Sequence, residues 1–384
     1  MSFVSEKSKN TPQSQIREMF AMQAGLDNIV SFALGEPDFA APKEAIEAAV
    51  ASFNRGETHY VANNGITALR EAVADDYKKQ GLDYTPDEII IGQGAISILN
   101  LACTAVLDLG DEVLLADPGW ANYSGLVTQL GGKPVPVRVK EENGFMFDVD
   151  DLRKAITPKT KLLLLNSPSN PTGGVASAEN LKAIAELVKE KDIYVLSDEI
   201  YHALLWDDGP YTSIASFPGM KERTIVVDGF SKKYAMTGFR VGYAAGPRDV
   251  IVAMTKHLEN VLSSVNEGVQ WAGVAVLRGD QKYAEEMKKE YAKRRKLIVD
   301  GLNSIDKISC LAPKGAFYAF PNIKATGLTS RDFAIRLLKE KHCVVVPGTG
   351  FGEGGEGFIR LSYATSEDNI REGLKRIREF VESL

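Results

Sequence analysis

The sequence predicts an α/β protein: a mainly parallel central sheet with helices on both faces, plus a smaller α+β domain. Two observations predict the sheet. Continuous apolar, β-branched runs recur between residues 88 and 245, and amphipathic helical patterns alternate with them. Strands covered on both faces read this way because neither face meets water, so polar residues do not alternate in. A third observation marks the smaller domain. After residue 283 the rhythm gives way to a long charged helix, roughly 283–304, then the short segments KGAFYAFPNI, CVVVPGTGFG and FIRLSYA and a terminal helix. The division expected is a large domain at 45–283, with 1–44 and 284–384 forming the small domain and its N-terminal segment.

In chain order, residues 14–24 (SQIREMFAMQA) form a short amphipathic helix, followed by the extended SFALGEPDFAAP with a turn at Gly-Glu-Pro-Asp. Residues 43–54 are helical, with Pro42 suitably placed near the start. Tyr60 lies in the polar loop THYVANNG before the helix ALREAVADDYKKQ. Strands are expected at Glu88–Ile91, Glu112–Ala116, Val135–Val139, Lys161–Leu165, Ile193–Ser197, Thr224–Val227 and Val241–Ala245. Gly92-Gln93-Gly94 opens a helix to about Leu107, and Glu179–Lys191 is the clearest helix further on. In such sheets ligands bind beyond the carboxyl ends of the strands.

Composition narrows the function. Hydrophobic content of 44% and charged content of 25% are ordinary for a globular enzyme, and a net charge of −6 argues against a nucleic-acid or anionic-membrane surface. The one basic run, Lys293 to Lys296, alternates with acids in a helical pattern and reads as a solvated face. Cys103, Cys310 and Cys343 are far apart and odd in number, which suggests a reducing compartment. The polar N-terminus and the lack of a long apolar run make the expected location cytoplasmic. The four histidines show no ligand spacing, so no metal site is expected.

Four strand-end loops carry unusual chemistry. The stretch DGFSKKYAMTGFRVGY follows a buried strand and sets Lys232 eight residues before Arg240. A lysine amine condenses with aldehydes, and a guanidinium grips phosphate. Pyridoxal phosphate carries both groups, although two surface lysines and a solvated arginine fit the stretch alone equally well. Gly94, Ala95 and Ile96 open a helix whose amides favour an anion, or form a plain turn. Asn170-Pro171-Thr172-Gly173 is a rigid bend, with a cis bond before the proline as one option, that either aims the Asn170 amide at a ligand or is simply a turn. In SDEIY, Asp198 ends a buried strand, where a carboxylate calls for a cation or caps a helix. Trp120 suits stacking on a flat ring or core packing, and Arg360 suits a carboxylate or a strand surface.

Taken in order, GEPDF, SPSNPTGG, SDEIY, GFSKKYAMTGFRVGY, KGAFYAFP and FIRLSYATS resemble the fold-type I pyridoxal-phosphate enzymes, specifically the class I/II aminotransferases, from Ile16 to the C-terminus. Within that class the chain looks most like the prokaryotic aspartate and aromatic-amino-acid branch. The resemblance implies roles. Lys232 rather than Lys233 matches the lysine that binds the cofactor aldehyde, and Asp198 matches the partner of the pyridine nitrogen. Tyr201 and Asn170 match hydrogen-bonding partners of the ring's phenolic oxygen, and Trp120 matches the stacking residue. Gly94, Ala95, Ile96, Ser231 and Arg240 fall at the phosphate. Tyr60 matches a tyrosine reaching the neighbouring subunit's phosphate, which implies a homodimer with shared active sites. Gly35, Asn170 and Arg360 match the residues that hold the substrate α-carboxylate.

The implied activity is ping-pong transfer of an amino group from an L-amino acid to a 2-oxo acid such as 2-oxoglutarate. Two positions depart from the family pattern. Gly229 stands where serine is frequent three residues before the lysine, and Ile96 stands where some aspartate-specific relatives carry a lysine. Isoleucine cannot read a distal carboxylate, so an aromatic or broad range is expected, with aspartate aminotransfer as the alternative and carbon–sulfur lyase chemistry behind it. Residues around Ile16 are expected to close over the substrate side chain.

Overall fold

The computed structural model describes residues 3–9, 15–206 and 209–384, and the Ile16 side chain lies outside the described set. The first strand, β1 (Val30–Ser31), belongs to a small sheet discussed below. The central sheet takes β2 (Ile89–Gly92), β3 (Glu112–Asp117), β4 (Lys133–Arg138), β5 (Thr160–Asn166), β6 (Tyr194–Asp198), β7 (Thr224–Gly229) and β8 (Gly242–Ala245). All seven expected strands are present within two residues of their expected bounds.

The sheet order is β2-β8-β7-β6-β5-β3-β4. Every pair is parallel except those made by β8, which runs antiparallel to both β2 and β7. Burial explains the unbroken apolar runs. Ile89, Ile91 and Val226 join an apolar cluster with Leu69, Val73 and Ala272 on one face. Ile90, Ile225 and Val227 join Ile98, Leu99 and Met254 on the other. Both faces are dry, as a sheet of this kind requires.

The reversed strand has a consequence for chemistry. Beyond the carboxyl ends of β2, β3, β5, β6 and β7 lie the loops and helix starts carrying Ala95, Trp120, Asn170, Tyr201 and Lys232. Because β8 points the other way, its beginning lies at that same edge, and Arg240 immediately precedes it. Gly242 of β8 is flanked in register by Gly92 and Gly229. A Cβ on Gly242 would come within 2.6 Å of the Ala95 amide nitrogen, so the strands meet the next helix at a distance only glycine permits.

The remaining strands are β9 (Tyr318–Ala319), β10 (Cys343–Val344), β11 (Val346–Pro347) and β12 (Ile359–Ser362). They form an antiparallel sheet, β11-β12-β9, and a parallel pair, β1-β10, which ties residues near the start of the chain to its last quarter. Helix Lys282–Asn303 is the long charged helix expected, and helix Glu367–Glu382 is the terminal one, capped by Ser366 accepting from the Asn369 amide at 3.2 Å.

Helices not expected individually include Arg248–Val261, Glu267–Arg278 and Ser330–Lys341. Glu267–Arg278 packs against both Lys43–Asn54 and Thr67–Lys79 and buries most of its circumference, which blurs an amphipathic pattern. The expectation of a solvated Lys293–Lys296 face needs correction. Arg294 is 7% exposed, and its Nη1 bonds both Asp38 carboxylate oxygens at 2.8 Å, so the run is turned partly inward. No helix among the described residues is long and apolar enough to cross a membrane.

Candidate active site

Lys232 sits on the one-turn helix Phe230–Lys233 that follows β7. Its Nζ donates to the Gly35 carbonyl at 2.6 Å and lies 5.9 Å from the centre of the Tyr201 ring. Burial, the largest influence, lowers its pKa to about 8. Lys233 turns the other way, 3.9 Å from Asp76 and over the Tyr234 ring. Burial opposes its charge too, but Tyr234 and Asp76 outweigh it and hold the ammonium above the usual lysine range. Adjacent lysines therefore meet opposite environments.

Asp198 ends β6 at 3% exposure. No helix follows it, so it is not a helix cap. Its Oδ2 accepts from the Tyr123 hydroxyl at 2.7 Å, and its Oδ1 accepts from the Ile200 amide at 3.2 Å. Burial pushes its carboxyl up to about 6, against the opposing pull of the Tyr123 bond. Tyr201 is also buried and exchanges a 2.7 Å hydrogen bond with the Tyr318 hydroxyl.

Lys232, Asp198, Tyr201, Ser231, Trp120, Asn170, Ala95, Ile96 and Arg240 line one cavity of about 270 Å³. Trp120 is held edge-on to Tyr123, with ring centres 5.1 Å apart. The Asn170–Pro171 bond is cis. Asn170 receives 3.3 Å from Arg360 Nη1 at its Oδ1, and its own amide donates to Asn166 at 2.9 Å. Arg360, on β12, is 1% exposed and donates through Nη2 to the Ala33 carbonyl. Its Nε is buried with no hydrogen-bond partner among the described residues.

Gly94 adopts φ 78° and ψ 161° at the start of helix Ala95–Val106. A Cβ there would stand 2.5 Å from Arg240 Nη2, so the guanidinium lies directly over the helix start. Gly35 is equally constrained, because a Cβ on it would overlap the Tyr318 hydroxyl. Gly35, Gly94 and Arg360 do not line the cavity but touch Lys232, Arg240 and Asn170, which do, whereas Tyr60 lies apart from it. Tyr60 is 85% exposed in a neighbouring groove that shares Arg240 as a wall.

Comparison with known proteins decides the family. The model of "Aminotransferase class I and II" matches residues 27–377. The chain belongs to this aminotransferase family. An aspartate aminotransferase of Pyrococcus abyssi is 43% identical over 371 residues, covering 95% of each chain. Aromatic-amino-acid aminotransferase 2 of Thermococcus litoralis is 41% identical over 381 residues, covering 98% of this chain and 97% of that one. The crystal structure of the aspartate aminotransferase of Rhizobium meliloti superposes with a TM-score of 0.96 at 36% identity, covering 100% of this chain and 99% of that one. The central sheet and its flanking layers are those of the fold-type I aminotransferases.

Aminotransferases of this family use pyridoxal phosphate, and the cavity of this aminotransferase fits it. A guanidinium facing the positive end of a helix leaves two cationic features converging on one spot, which suits a phosphate between them. A buried carboxylate bonded only through neutral donors lacks the cation that a protonated pyridine nitrogen brings. A lysine of lowered pKa lines the same cavity.

The sequence did not single out Tyr123, Asn166, Thr237 or Tyr318. Asn166 Nδ2 bonds the Asp198 carbonyl at 3.0 Å, and Thr237 Oγ1 bonds Glu36 Oε1. For Tyr123 the available signal was its place three residues after Trp120. Gly229, the departure from family pattern, lies extended against β8, where an added Cβ would come 3.1 Å from Gly242 Cα.

Proposed function

We propose that this aminotransferase accepts aromatic and other apolar L-amino acids, working through Lys232, Asp198, Tyr201 and Arg360. The observation that carries this reading is the cavity itself, where amine, carboxylate and phenol converge beside apolar Ile96 and Leu99. Pyridoxal phosphate, when bound, supplies an aldehyde that links to amines and a ring that accepts electrons from the substrate Cα.

Lys232 would hold that aldehyde, and its Nζ is the base placed to move the substrate Cα proton. An amine of pKa about 8 is neutral in an appreciable fraction at neutral pH, as a general base must be. Asp198 would hold the ring nitrogen and favour its protonated form, and Tyr123 keeps Asp198 oriented. Tyr201 and Asn170 would hold the cofactor at its phenolic oxygen, and Trp120 would pack against its ring. Arg240, Ser231 and the helix start at Gly94, Ala95 and Ile96 grip the phosphate. Arg360, Asn170 and Gly35 take the substrate α-carboxylate, which gives the orphaned Arg360 Nε a partner. A 2-oxo acid such as 2-oxoglutarate then accepts the amino group in a second, ping-pong half.

The large domain of this reading spans 45–283, with 1–44 and 284–384 forming the small one. A cytoplasmic homodimer completes it. Ile46, Val50 and Phe53 form an exposed stripe along one face of helix Lys43–Asn54, at spacings four and three apart, near exposed Tyr60. A second subunit covering that face would take Tyr60 toward its own phosphate site.

The alternative is aspartate as amino donor, favoured by relatives named as aspartate aminotransferases. One experiment separates the two. Single L-amino acids are added to cofactor-loaded protein, and loss of the lysine-bound cofactor band is followed. Fast conversion by phenylalanine and tyrosine with slow conversion by aspartate supports the apolar reading, and the reverse order replaces it with aspartate.

A further inference from the structure

Tyr318 emerges from its surroundings as more than a core tyrosine. It is 1% exposed on β9, and its hydroxyl lies 2.7 Å from that of Tyr201. The Arg360 guanidinium carbon sits 4.8 Å from the centre of its ring. The Gly35 backbone closes the remaining side so tightly that a Cβ there would overlap the hydroxyl. We propose that Tyr318 is a positioning residue for aminotransfer: its hydroxyl donates to the Tyr201 oxygen and thereby turns the Tyr201 proton into the cavity. The inference rests on the cofactor reading above and adds to it a second, deeper phenol.

The argument is one of proton count. Each phenol has a single proton and two lone pairs, so in this pair one hydroxyl donates and the other accepts. Distance alone leaves the direction open, and the neighbours choose it. Burial raises both phenols, but the Arg360 guanidinium over the Tyr318 ring and the bond to Tyr201 restrain the rise at Tyr318, whereas burial together with Tyr318 and Asp198 drives Tyr201 well above its ordinary value. The more acidic phenol is the better donor. With Tyr318 donating, the Tyr201 proton is left for an acceptor in the cavity, where the phenolic oxygen of the cofactor is placed by the reading above. Phe317 stands perpendicular to the Tyr201 ring, with ring centres 5.5 Å apart, and fixes that ring while this order is set.

The test is a thermodynamic cycle read in the cofactor spectrum. Tyr318→Phe, Tyr201→Phe and the double variant are loaded with pyridoxal phosphate, and the lysine-bound band is titrated against pH. Tyr318→Phe keeps the ring against Arg360 but weakens Tyr201 as a donor. Charge then stays on the phenolic oxygen and retains the proton on the nearby lysine-linked nitrogen. The expected result is an upward shift of about half to one pH unit, the size of one hydrogen bond. Turnover number should fall ~3- to 10-fold with less change in KM for the amino acid. Tyr201→Phe should shift the titration further, and adding Tyr318→Phe to it should shift nothing more.

A Tyr318→Phe titration at the wild-type pH would overturn the proposal. So would an undiminished Tyr318→Phe shift in the Tyr201→Phe background, because the hydroxyl would then act without Tyr201. If wild-type protein gives no pH-dependent lysine-bound band, the cofactor reading itself fails and the proposal falls with it.

Discussion

Asp198→Asn should make the cofactor-free protein more stable and the enzyme nearly inactive. In the native chain the carboxyl is lifted from 3.8 to about 6, chiefly by burial. Two pH units at 1.36 kcal/mol each make the ionised side chain a burden of ~3 kcal/mol at neutral pH. The sign follows from proton binding. Folded protein keeps the Asp198 proton up to about pH 6, whereas the unfolded chain releases it near 3.8. The cost is therefore complete above pH 6, shrinks as pH falls, and is gone below 3.8. Asparagine carries no charge, can keep the Tyr123 contact with donor and acceptor exchanged, and can still accept from the Ile200 amide. Urea unfolding of both cofactor-free proteins should show Asp198→Asn ahead by ~1–3 kcal/mol at pH 7.5, with the gain falling to about 1 kcal/mol or less near pH 4.5. With cofactor, the same variant lacks the anion facing the ring nitrogen, and turnover should drop ~100-fold or more. A cofactor-free variant less stable than wild type at pH 7.5, with an unchanged dependence on pH, would refute the reasoning.

Two further outcomes follow from neighbouring residues. Lys232→Ala should lose the covalently held cofactor band and nearly all turnover, whereas Lys233→Ala should retain both and lose only thermal stability, because its contacts are Asp76 and Tyr234. Absorption spectra and initial rates decide it, and wild-type-like activity in the Lys232 variant would reassign the site. Gly94→Ala forces an L-residue into φ 78°, ψ 161° and drives a methyl against Arg240. A backbone cost of ~1–3 kcal/mol should appear as about a 5- to 150-fold rise in the cofactor Kd, measured by equilibrium dialysis.

Sequence and structure agree where chemistry sits at a strand end. Lys232, Asp198, Asn170, Trp120 and Ala95 were legible because buried apolar runs announce the strands, and in an open sheet the residues just beyond them face the ligand crevice. Arg240 was legible only through its spacing from Lys232. Its presence at the cavity depends on β8 running backwards, and the apolar string Gly-Tyr-Ala-Ala carries no direction. Tyr123 and Tyr318 were hidden for a different reason. They act through single hydrogen bonds to residues 75 and 117 positions away, and apolar patterning treats such tyrosines as core. What stays out of a one-dimensional reading is therefore not the atoms proposed to touch the substrate but the phenols behind them. Asp198 needs Tyr123 to stay oriented despite burial, and Tyr201 needs Tyr318 to aim its one proton. A site copied from its motifs alone would hold the right groups with their protons unassigned, and the cavity would bind before it could turn over.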